Sequence, residues 1–466
     1  ALRDWNLSAL EGRSCQNTGM NRPPALLSAL LLLACCPSAQ AASTPNIIFI
    51  MADDLGYADL GCYGQKVIRT PRLDRMAKEG MRFTQCYAGS TVCAPSRSVL
   101  MTGKHTGHTT VRGNKGVSGV KGSGGAKGRI PLRANDVTVA EVLKSAGYVT
   151  AMTGKWGLGE PGTTGHPNAQ GFDHWMGFLN QGRAHNHYPE YIWHNRKRVI
   201  LHGNSEGREG NYSHDLFTKF AVDFVKRHQK KKFFLYLPYC VPHSKYQFPP
   251  GRHGYEDEDW KNNEKSHAAM VTRLDRDVGQ LLDLLDELKL SEKTVVFFCS
   301  DNGAAERWEG RFDSSGPLRG HKRDLTEGGL RVPMILRWKG TISAETENGM
   351  PWWFADFLPI CAGLAETKAP QNLDGLNVWP GIIGKYRPAP ERPFYWEFHE
   401  RGFQQAVRWN HWKAIRNGLN KPLQLFDLAK DLAESNNIAT EHPEIVDKIE
   451  KLIKEARTES KEWPVP

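Results

Sequence analysis

Three short segments of the chain are almost entirely apolar: residues 46–51, 233–237 and 294–298. A strand with one face in water alternates apolar and polar side chains, whereas a strand covered on both faces is continuously apolar. The three segments therefore predict buried strands of a parallel central sheet. They are the clearest strand signals in the chain.

Between these segments, apolar residues recur every three or four positions, which is the period of a helix with one buried face. The clearest stripe consists of Val271, Leu274, Val278, Leu281, Leu285 and Leu288. Strands that alternate with helices predict an α/β fold, with a large, mostly parallel sheet sandwiched by helices. After about residue 370 the apolar segments become shorter, and a last helical stripe follows at Ile445, Ile449, Leu452 and Ile453.

The first 41 residues have the composition of an export signal rather than of a folded segment. A charged start at residues 20–22 precedes an apolar run at 26–34, and Ala39-Gln40-Ala41 has the small residues of a cleavage site. The apolar run is too short to span a bilayer. We therefore expect a protein that is secreted or periplasmic.

Two further expectations concern this segment. Residues 1–19 precede Met20, a plausible start, and have the character of upstream sequence that is not part of the protein. We expect cleavage after Ala41. The residues leading to Cys35 loosely resemble a bacterial lipobox, so a lipid anchor at Cys35 is the alternative.

Charge narrows the functional classes only slightly. The formal net charge is +10, and apart from residues 230–232 the basic residues are interleaved with acidic ones. A solvated basic surface and a field that attracts anionic substrates both fit this pattern. No nucleic-acid-binding motif accompanies the charge, and no apolar run is long enough for a membrane span, so we expect neither nucleic-acid binding nor a transmembrane segment.

Polar residues follow each of the three predicted strands. Asp53 and Asp54 come after the first strand, His243 after the second, and Asp301 and Asn302 after the third. Taken singly, each group is ordinary turn or loop chemistry. In an open α/β sheet, however, ligands bind at the carboxyl ends of the strands, so these side chains can converge on one site.

One cysteine stands at the start of a predicted helix. Cys93 is followed by Ala-Pro-Ser-Arg97, and the proline suits the first turn of a helix. The helix dipole favours negative charge at this end, which makes Cys93 a candidate reactive thiol. The other cysteines after residue 41 lack the close pairing of a zinc site or a disulfide scaffold, which predicts mainly buried thiols.

The segment Cys-Ala-Pro-Ser-Arg, followed by Leu-Met-Thr-Gly, matches the signature of the formylglycine-dependent, arylsulfatase-like sulfatases of the alkaline phosphatase superfamily. Further segments resemble the same family in order and spacing, at 52–57, 70–74, 153–156, 240–243, 300–303 and 320–333. By this resemblance, residues 42–370 form a catalytic α/β domain. Residues 371–466 form a smaller C-terminal subdomain, an antiparallel sheet with one packed helix.

The resemblance implies a sulfatase that hydrolyses sulfate monoesters, and the export signal and basic chain favour sulfated carbohydrates as substrates. It also implies a formylglycine-generating maturation enzyme that oxidises Cys93. One hydroxyl of the aldehyde hydrate attacks sulfur and displaces the alcohol; deprotonation of the other hydroxyl then expels sulfate and regenerates the aldehyde. A serine would lack that second hydroxyl.

The resemblance further implies a metal site and a set of cations. The metal ligands would be Asp53, Asp54, Asp301, Asn302 and the modified Cys93. A cage of several side-chain oxygens suits Ca²⁺ better than Mg²⁺, which prefers to keep waters.

Cationic residues would contact the hydrate and the sulfate oxygens, where negative charge shifts as the S–O bond breaks. By the resemblance these are Arg97, Lys155 and Lys322. His243 would lie near the leaving oxygen, as a proton donor or a sulfate ligand. Lys155, Lys322 and His243 are thus the expected substrate-binding residues.

One position departs from the family pattern. Many members carry His two residues after the lysine, whereas Lys155 is followed by Trp156 and then Gly157. An acid–base or hydrate-orienting histidine is therefore absent. His185 and His166 are the candidate replacements, and we prefer His185.

Two other functions stay open. A phosphoester or phosphonate ester hydrolase would use the same scaffold and metal site. A non-catalytic protein that binds sulfated glycans would result if Cys93 is never oxidised, or if Gly157 marks lost chemistry. Turnover of sulfate esters compared with phosphate esters separates the first alternative from a sulfatase.

Overall fold

A large mixed sheet lies at the centre of the structure, a computed structural model that describes residues 44–114, 116–121, 127–249, 253–385 and 391–465. The predicted export signal and the candidate lipid anchor at Cys35 lie outside the described residues. Residues Thr44–Pro466 form one compact unit. The predicted domain boundary near residue 370 stays a prediction.

The strands are β1 Asn46–Ala52, β2 Met81–Tyr87, β3 Gly116–Lys121, β4 Lys127–Arg129, β5 Val149–Lys155, β6 His174–Phe178, β7 Tyr191–His194, β8 Lys197–Ile200, β9 Phe233–Pro238, β10 Thr294–Ser300, β11 Arg331–Arg337, β12 Thr346–Asn348, β13 Trp352–Trp353, β14 Pro393–Phe398, β15 Gln404–Trp409, β16 Trp412–Arg416 and β17 Gln424–Asp427. The α-helices are α1 Pro71–Lys78, α2 Cys93–Thr102, α3 Val139–Ser145, α4 Ser213–His228, α5 Asn262–Glu287, α6 Glu327–Leu330, α7 Phe357–Leu364, α8 Trp379–Ile382 and α9 Pro443–Glu455.

The middle of the large sheet is parallel. β1 pairs with β10 on one side and with β9 on the other, and β5 and β6 continue the parallel order beyond β9. Alternate residues of β1 belong to different cores: Phe49 and Met51 to one, Ile48 and Ile50 to the other. The three apolar segments are therefore central strands buried on both faces, as their sequences predict.

The margins of the sheet are largely antiparallel. The order is β12-β2-β11-β10-β1-β9-β5-β6-β7-β8, with β13 also paired to β2. β11 runs antiparallel to both β10 and β2, and β7 runs antiparallel to β6 and β8. The sheet is thus mixed, with the predicted parallel order confined mainly to its centre.

Helices cover both faces of this sheet. On one face, α2, α3 and α7 contribute to the first core, which includes Leu100, Leu143 and Phe357. On the other face, α1, α4 and α5 contribute to the second core. The predicted apolar stripe of α5 is buried there, from Val271 to Leu285. The layered α/β fold is confirmed.

The C-terminal part forms a separate four-stranded antiparallel sheet in the order β14-β15-β16-β17. On one face of this sheet, Ile449 and Ile453 of α9 share a core with Val407. On the other face, Phe394 and Trp396 join the first core of the large sheet. The Trp396 indole N–H also donates to the Ala88 carbonyl at 2.9 Å. The small sheet therefore shares its inner face with the main fold.

Within the described residues, every helix is too short or too polar to cross a membrane. The cysteines described there are all free, and Cys86, Cys240, Cys299 and Cys361 are buried. The prediction of mainly buried thiols is therefore confirmed for this part of the chain. Cys93 is buried as well, but its surroundings differ from those of the other four.

A buried ion network joins the small sheet to the segment that precedes β11. Lys413 Nζ, on β16, lies 2.8 Å from Glu327 Oε1 and 3.5 Å from Glu434 Oε1. All three side chains are fully buried, and the Tyr87 hydroxyl donates to Glu327 Oε2 at 2.7 Å. Charges removed from water in this way depend on their partners.

Replacing Lys413 with Ala should lower the free energy of unfolding by about 3–5 kcal/mol, because Glu327 and Glu434 would lose the buried ammonium that they share, although Glu327 keeps Arg331 at 3.5 Å. Urea denaturation followed by tryptophan fluorescence measures this change. Lys430→Ala is the matched control, since the Lys430 side chain is 86% exposed and forms only a 3.5 Å pair with Asp427. Equal urea midpoints for the two variants would contradict the importance of the network.

Candidate active site

Polar side chains from three strand ends meet in one buried cluster. β1 and β10 are neighbours in register, with Ala52 opposite Ser300, so the residues that follow them lie side by side. The Asp54 N–H donates to Asp301 Oδ1 at 3.1 Å, and Asn302 Nδ2 donates to Asp54 Oδ1 at 2.7 Å. From the end of β9, His243 Nε2 lies 3.2 Å from Asp54 Oδ2. The expected convergence is present.

Cys93 is the first residue of α2, and its side chain faces this cluster. Its Sγ lies 3.6 Å from Asp53 Oδ1 and 3.6 Å from Lys322 Nζ. Burial raises the pKa of the Cys93 thiol to about 12, although Lys155 and Lys322 act in the opposite direction. The unmodified side chain is therefore a neutral thiol at physiological pH, which disfavours the hypothesis of a reactive thiolate.

Two lysines bring positive charge to the same place. Lys155, the last residue of β5, places its Nζ 2.6 Å from Asp53 Oδ2. Lys322 places its Nζ 2.7 Å from Asp54 Oδ2 and 3.2 Å from His243 Nε2. Burial acts to lower the pKa of the Lys322 ammonium, but Asp54, Cys93 and Asp53 together outweigh burial, so the pKa is raised. Both lysines therefore remain cationic inside the cluster.

Arg97 lies one turn into α2 and is fully buried. It donates to Asp301 Oδ2 through NH2 at 2.7 Å and through Nε at 3.2 Å. Its NH1 donates to the Lys155 carbonyl at 2.6 Å. These bonds fix Asp301 and the end of β5 relative to the helix that carries Cys93.

The carboxylates of the cluster are crowded. Burial raises the pKa of Asp301 to about 7, and the charge of Asp53 adds to the rise. For Asp53, burial acts in the same direction, but Lys155, His243 and Arg97 outweigh it and hold the pKa well below its usual range. Carboxylates in this arrangement need cations to remain ionised together.

The donor set fits a hard divalent cation. Asp53, Asp54, Cys93 and His243 each offer a ligand atom, and these atoms all lie within 4.8 Å of one another. Asn302 gives further support. Its Nδ2 donates to Asp54 and to the Gly303 carbonyl, while its buried Oδ1 has no hydrogen-bond partner among the described residues. A buried amide oxygen without a donor is unfavourable, and a cation would satisfy it.

The two candidate histidines lie in different surroundings. The ring of His185 stacks on that of His243, with centroids 4.0 Å apart. Burial lowers the pKa of His185 to about 3, and Lys155 contributes to the decrease. His166 instead accepts the Asn168 N–H at 3.2 Å and packs edge-on against Trp175. Of the two candidates, the structure thus brings His185 against a residue of the cluster.

Gln181 explains why no side chain is present at Gly157. Gly157 has φ +81°, and a Cβ atom built on it would lie 2.6 Å from Gln181 Nε2 and 2.8 Å from Gln181 Cγ. Gln181 is buried, and its Nε2 has no hydrogen-bond partner in the part of the chain that the structure describes. A glutamine therefore fills the space beside this glycine. Gln181 was not predicted from the sequence, where its one signal is the missing side chain at Gly157.

A second group of His and Asp side chains lies elsewhere. His105, His108 and Asp374 also bring ligand atoms within 4.8 Å of one another. However, the Gly107 N–H donates to His105 Nδ1 at 3.1 Å. This bond leaves the proton of neutral His105 on Nε2, which lies 3.4 Å from Asp374 Oδ1. The group is therefore explained by internal hydrogen bonds.

Comparison with known proteins agrees with this geometry. The sequence model of the sulfatase family matches residues 45–366, and that of the C-terminal region of N-sulphoglucosamine sulphohydrolase matches residues 320–460. The chain belongs to the sulfatase family of the alkaline phosphatase superfamily. It is accordingly a hydrolase of sulfuric esters, related to the arylsulfatases.

Individual relatives cover most of the chain. The canine N-acetylgalactosamine-6-sulfatase is 32% identical over 411 residues, which are 82% of this chain and 76% of the relative. The N-acetylgalactosamine-6-O-sulfatase of Bacteroides thetaiotaomicron is 28% identical over 534 residues, covering 93% and 98%. The crystal structure of Ps i-CgsB in complex with k-i-k-neocarrahexaose aligns with a TM-score of 0.78 and 31% identity, covering 89% of this chain and 93% of that one.

Proposed function

We propose that this sulfatase hydrolyses sulfate monoesters of carbohydrates, with a formylglycine made from Cys93 as nucleophile and Ca²⁺ as cofactor. The observation that carries the proposal is the position of Cys93. Its Sγ lies at the start of α2, between Asp53 and Lys322, at the carboxyl edge of the sheet. The hydrate of the aldehyde would supply the attacking oxygen at this point.

The cations of the site would then bind the ester. Lys155 and Lys322 are buried and keep their charge, so they would hold sulfate oxygens more strongly than surface lysines do. His243 lies beside Lys322 and would reach the leaving oxygen or a sulfate oxygen. Arg97 donates to Asp301 and to a backbone carbonyl, which supports a role in holding the carboxylates in position.

The proposed metal ligands are Asp53, Asp54, Asp301, Asn302 and the modified Cys93. The unsatisfied Asn302 Oδ1 and the crowded carboxylates support a cation here. Oxygen ligands from several side chains favour Ca²⁺. When bound, the ion would stabilise negative charge on the nucleophile and on the sulfate oxygens.

Carbohydrate sulfates are the proposed substrates because the relatives point to them. Two relatives are named as N-acetylgalactosamine 6-sulfatases, and Ps i-CgsB was crystallised with k-i-k-neocarrahexaose. A basic chain with an export signal also suits an anionic glycan outside the cytoplasm. A formylglycine-generating enzyme in the source cell is part of this proposal.

Replacing Cys93 with Ala should lower kcat for 4-nitrophenyl sulfate by roughly 10³-fold or more, because no other side chain supplies the nucleophile. Cys62→Ala should retain parent activity, since Cys62 lies outside the cluster. Mass spectrometry of the parent tryptic peptide containing Cys93 should show the aldehyde in place of the thiol.

The same assay tests the alternatives. Faster turnover of 4-nitrophenyl phosphate than of the sulfate would indicate a phosphoester hydrolase. A fully active Cys93→Ala protein would rule out the proposed nucleophile. An unmodified thiol, together with glycan binding and no turnover, would indicate the non-catalytic function.

Removal of metal should abolish activity, and addition of Ca²⁺ should restore it, because the buried carboxylates need the cation. Plasma mass spectrometry of the purified protein should find about one Ca²⁺ per chain, and much less in Asp53→Ala or Asp301→Ala. Asp374→Ala, in the second His and Asp group, is the control and should keep its metal. Stoichiometric zinc would contradict the proposed oxygen cage.

Replacing His185 with Ala should lower kcat by roughly 10²-fold, the scale of a lost acid or base, with a smaller change in KM. We expect this loss because the His185 ring stacks on His243, a residue of the buried cluster. His166→Ala, away from His243, should keep the parent kcat. If His166→Ala is the impaired variant, the roles are exchanged; if both variants stay active, neither histidine replaces the missing one.

A further inference from the structure

Arg323 lies beside the proposed site. It directly follows Lys322, and its backbone N–H donates to the Thr91 carbonyl at 3.1 Å, two residues before Cys93. Arg323 adopts φ +76°, a left-handed conformation that costs a non-glycine residue of order 1 kcal/mol. Its side chain is 40% exposed. The backbone is thus bound to the nucleophile turn while the guanidinium reaches solvent.

Glu400 reaches the same turn from the small C-terminal sheet, in the loop between β14 and β15. Its Oε1 accepts the Asn114 N–H at 3.1 Å, and Asn114 Oδ1 in turn accepts the Ala94 N–H at 3.2 Å. Its Oε2 lies 3.4 Å from Arg323 Nε. Arg323 and Glu400, here called the rim pair, are therefore both linked to the residues around Cys93.

The rim pair contributes little to the stability of the fold and leaves hydrogen-bonding groups available. A partly exposed ion pair at this distance contributes about 0–1 kcal/mol. The contact uses Nε of Arg323, and the terminal guanidinium nitrogens have no other partner among the contacts of the described residues. A donor group and an acceptor group thus lie next to each other beside the turn that carries Cys93, and both side chains are partly exposed to solvent.

We propose that the rim pair binds hydroxyl groups of the sugar ring that carries the sulfate ester; this rests on the proposed function. Arg323 would donate to one hydroxyl oxygen, and Glu400 would accept the proton of a neighbouring hydroxyl. A sugar diol can bond to both side chains, whereas a second sulfate or a carboxylate could bond only to Arg323 and would be repelled by Glu400. The pair would therefore select sugars with neutral groups beside the ester.

A second ion pair provides a matched control. Arg401 and Asp324 join the same two segments, with NH1 3.3 Å from Oδ1 and side chains 50% and 30% exposed. Arg401 follows Glu400, and Asp324 follows Arg323, so the two pairs run side by side. If such pairs only hold the segments together, disrupting either one should have the same effect.

The test compares a small aryl sulfate with a sugar sulfate. For Arg323→Ala and Glu400→Gln, kcat/KM for N-acetylgalactosamine 6-sulfate, relative to 4-nitrophenyl sulfate, should fall by about tenfold, since each variant loses a charged hydrogen bond. The change should lie mainly in KM, and Arg323→Lys should recover part of it. Arg401→Ala should keep the parent ratio. The aryl ester serves as reference because it lacks sugar hydroxyls.

Three other results would contradict the proposed role of the rim pair, and each would point to a different explanation. Equal losses on both substrates, or the same change in Arg401→Ala, would reduce the rim pair to a structural contact. A higher kcat/KM of Glu400→Gln for N-acetylgalactosamine 4,6-disulfate, without loss on the monosulfate, would show that the rim binds a second anion. If the parent hydrolyses neither sulfate ester, the proposed function itself fails.

Discussion

The site depends on keeping several carboxylates ionised where water is absent. Asp53, Asp54 and Asp301 follow two adjacent strands and are fully or almost fully buried. Carboxylates in such a place repel each other and lose their hydration, so they remain charged only with cations close by. Lys155, Lys322 and Arg97 supply that charge from three other elements. The fold thus brings together residues that are distant in sequence so that these carboxylates keep their charge.

This requirement also explains the helix that carries Cys93. Arg97 must reach Asp301, and a residue four positions earlier on the same face of a helix then faces the carboxylates. Cys93 is that residue, and its Sγ lies within 3.6 Å of Asp53 Oδ1. The placement of the proposed nucleophile and the neutralisation of the acidic cluster are consequences of the same turn of α2.

Much of this arrangement could be predicted from the sequence because continuous apolar strands identify the parallel centre, and their ends identify the polar groups. The antiparallel margins could not be predicted, because the pattern of apolar residues in β2 and β11 does not show in which direction each strand runs relative to its neighbours. Arg97 shows a similar limit: its motif indicates a cation, but only the structure shows that its bonds go to Asp301 and Lys155. Gln181 and Arg323 were not predicted because their contacts, to Gly157 and to Glu400, join residues that are distant in sequence.

The contact between Gly157 and Gln181 has an evolutionary consequence. A histidine at 157 would collide with Gln181, and Gln181 alone has no reason to change while 157 is a glycine. The two positions are therefore coupled, because a side chain at 157 needs a smaller residue or a different rotamer at 181, in addition to a backbone that tolerates φ +81°. A mutational scan that changes one position at a time would record Gly157 as intolerant to substitution. The result would be attributed to the left-handed backbone alone, although the Gln181 side chain also restricts the position.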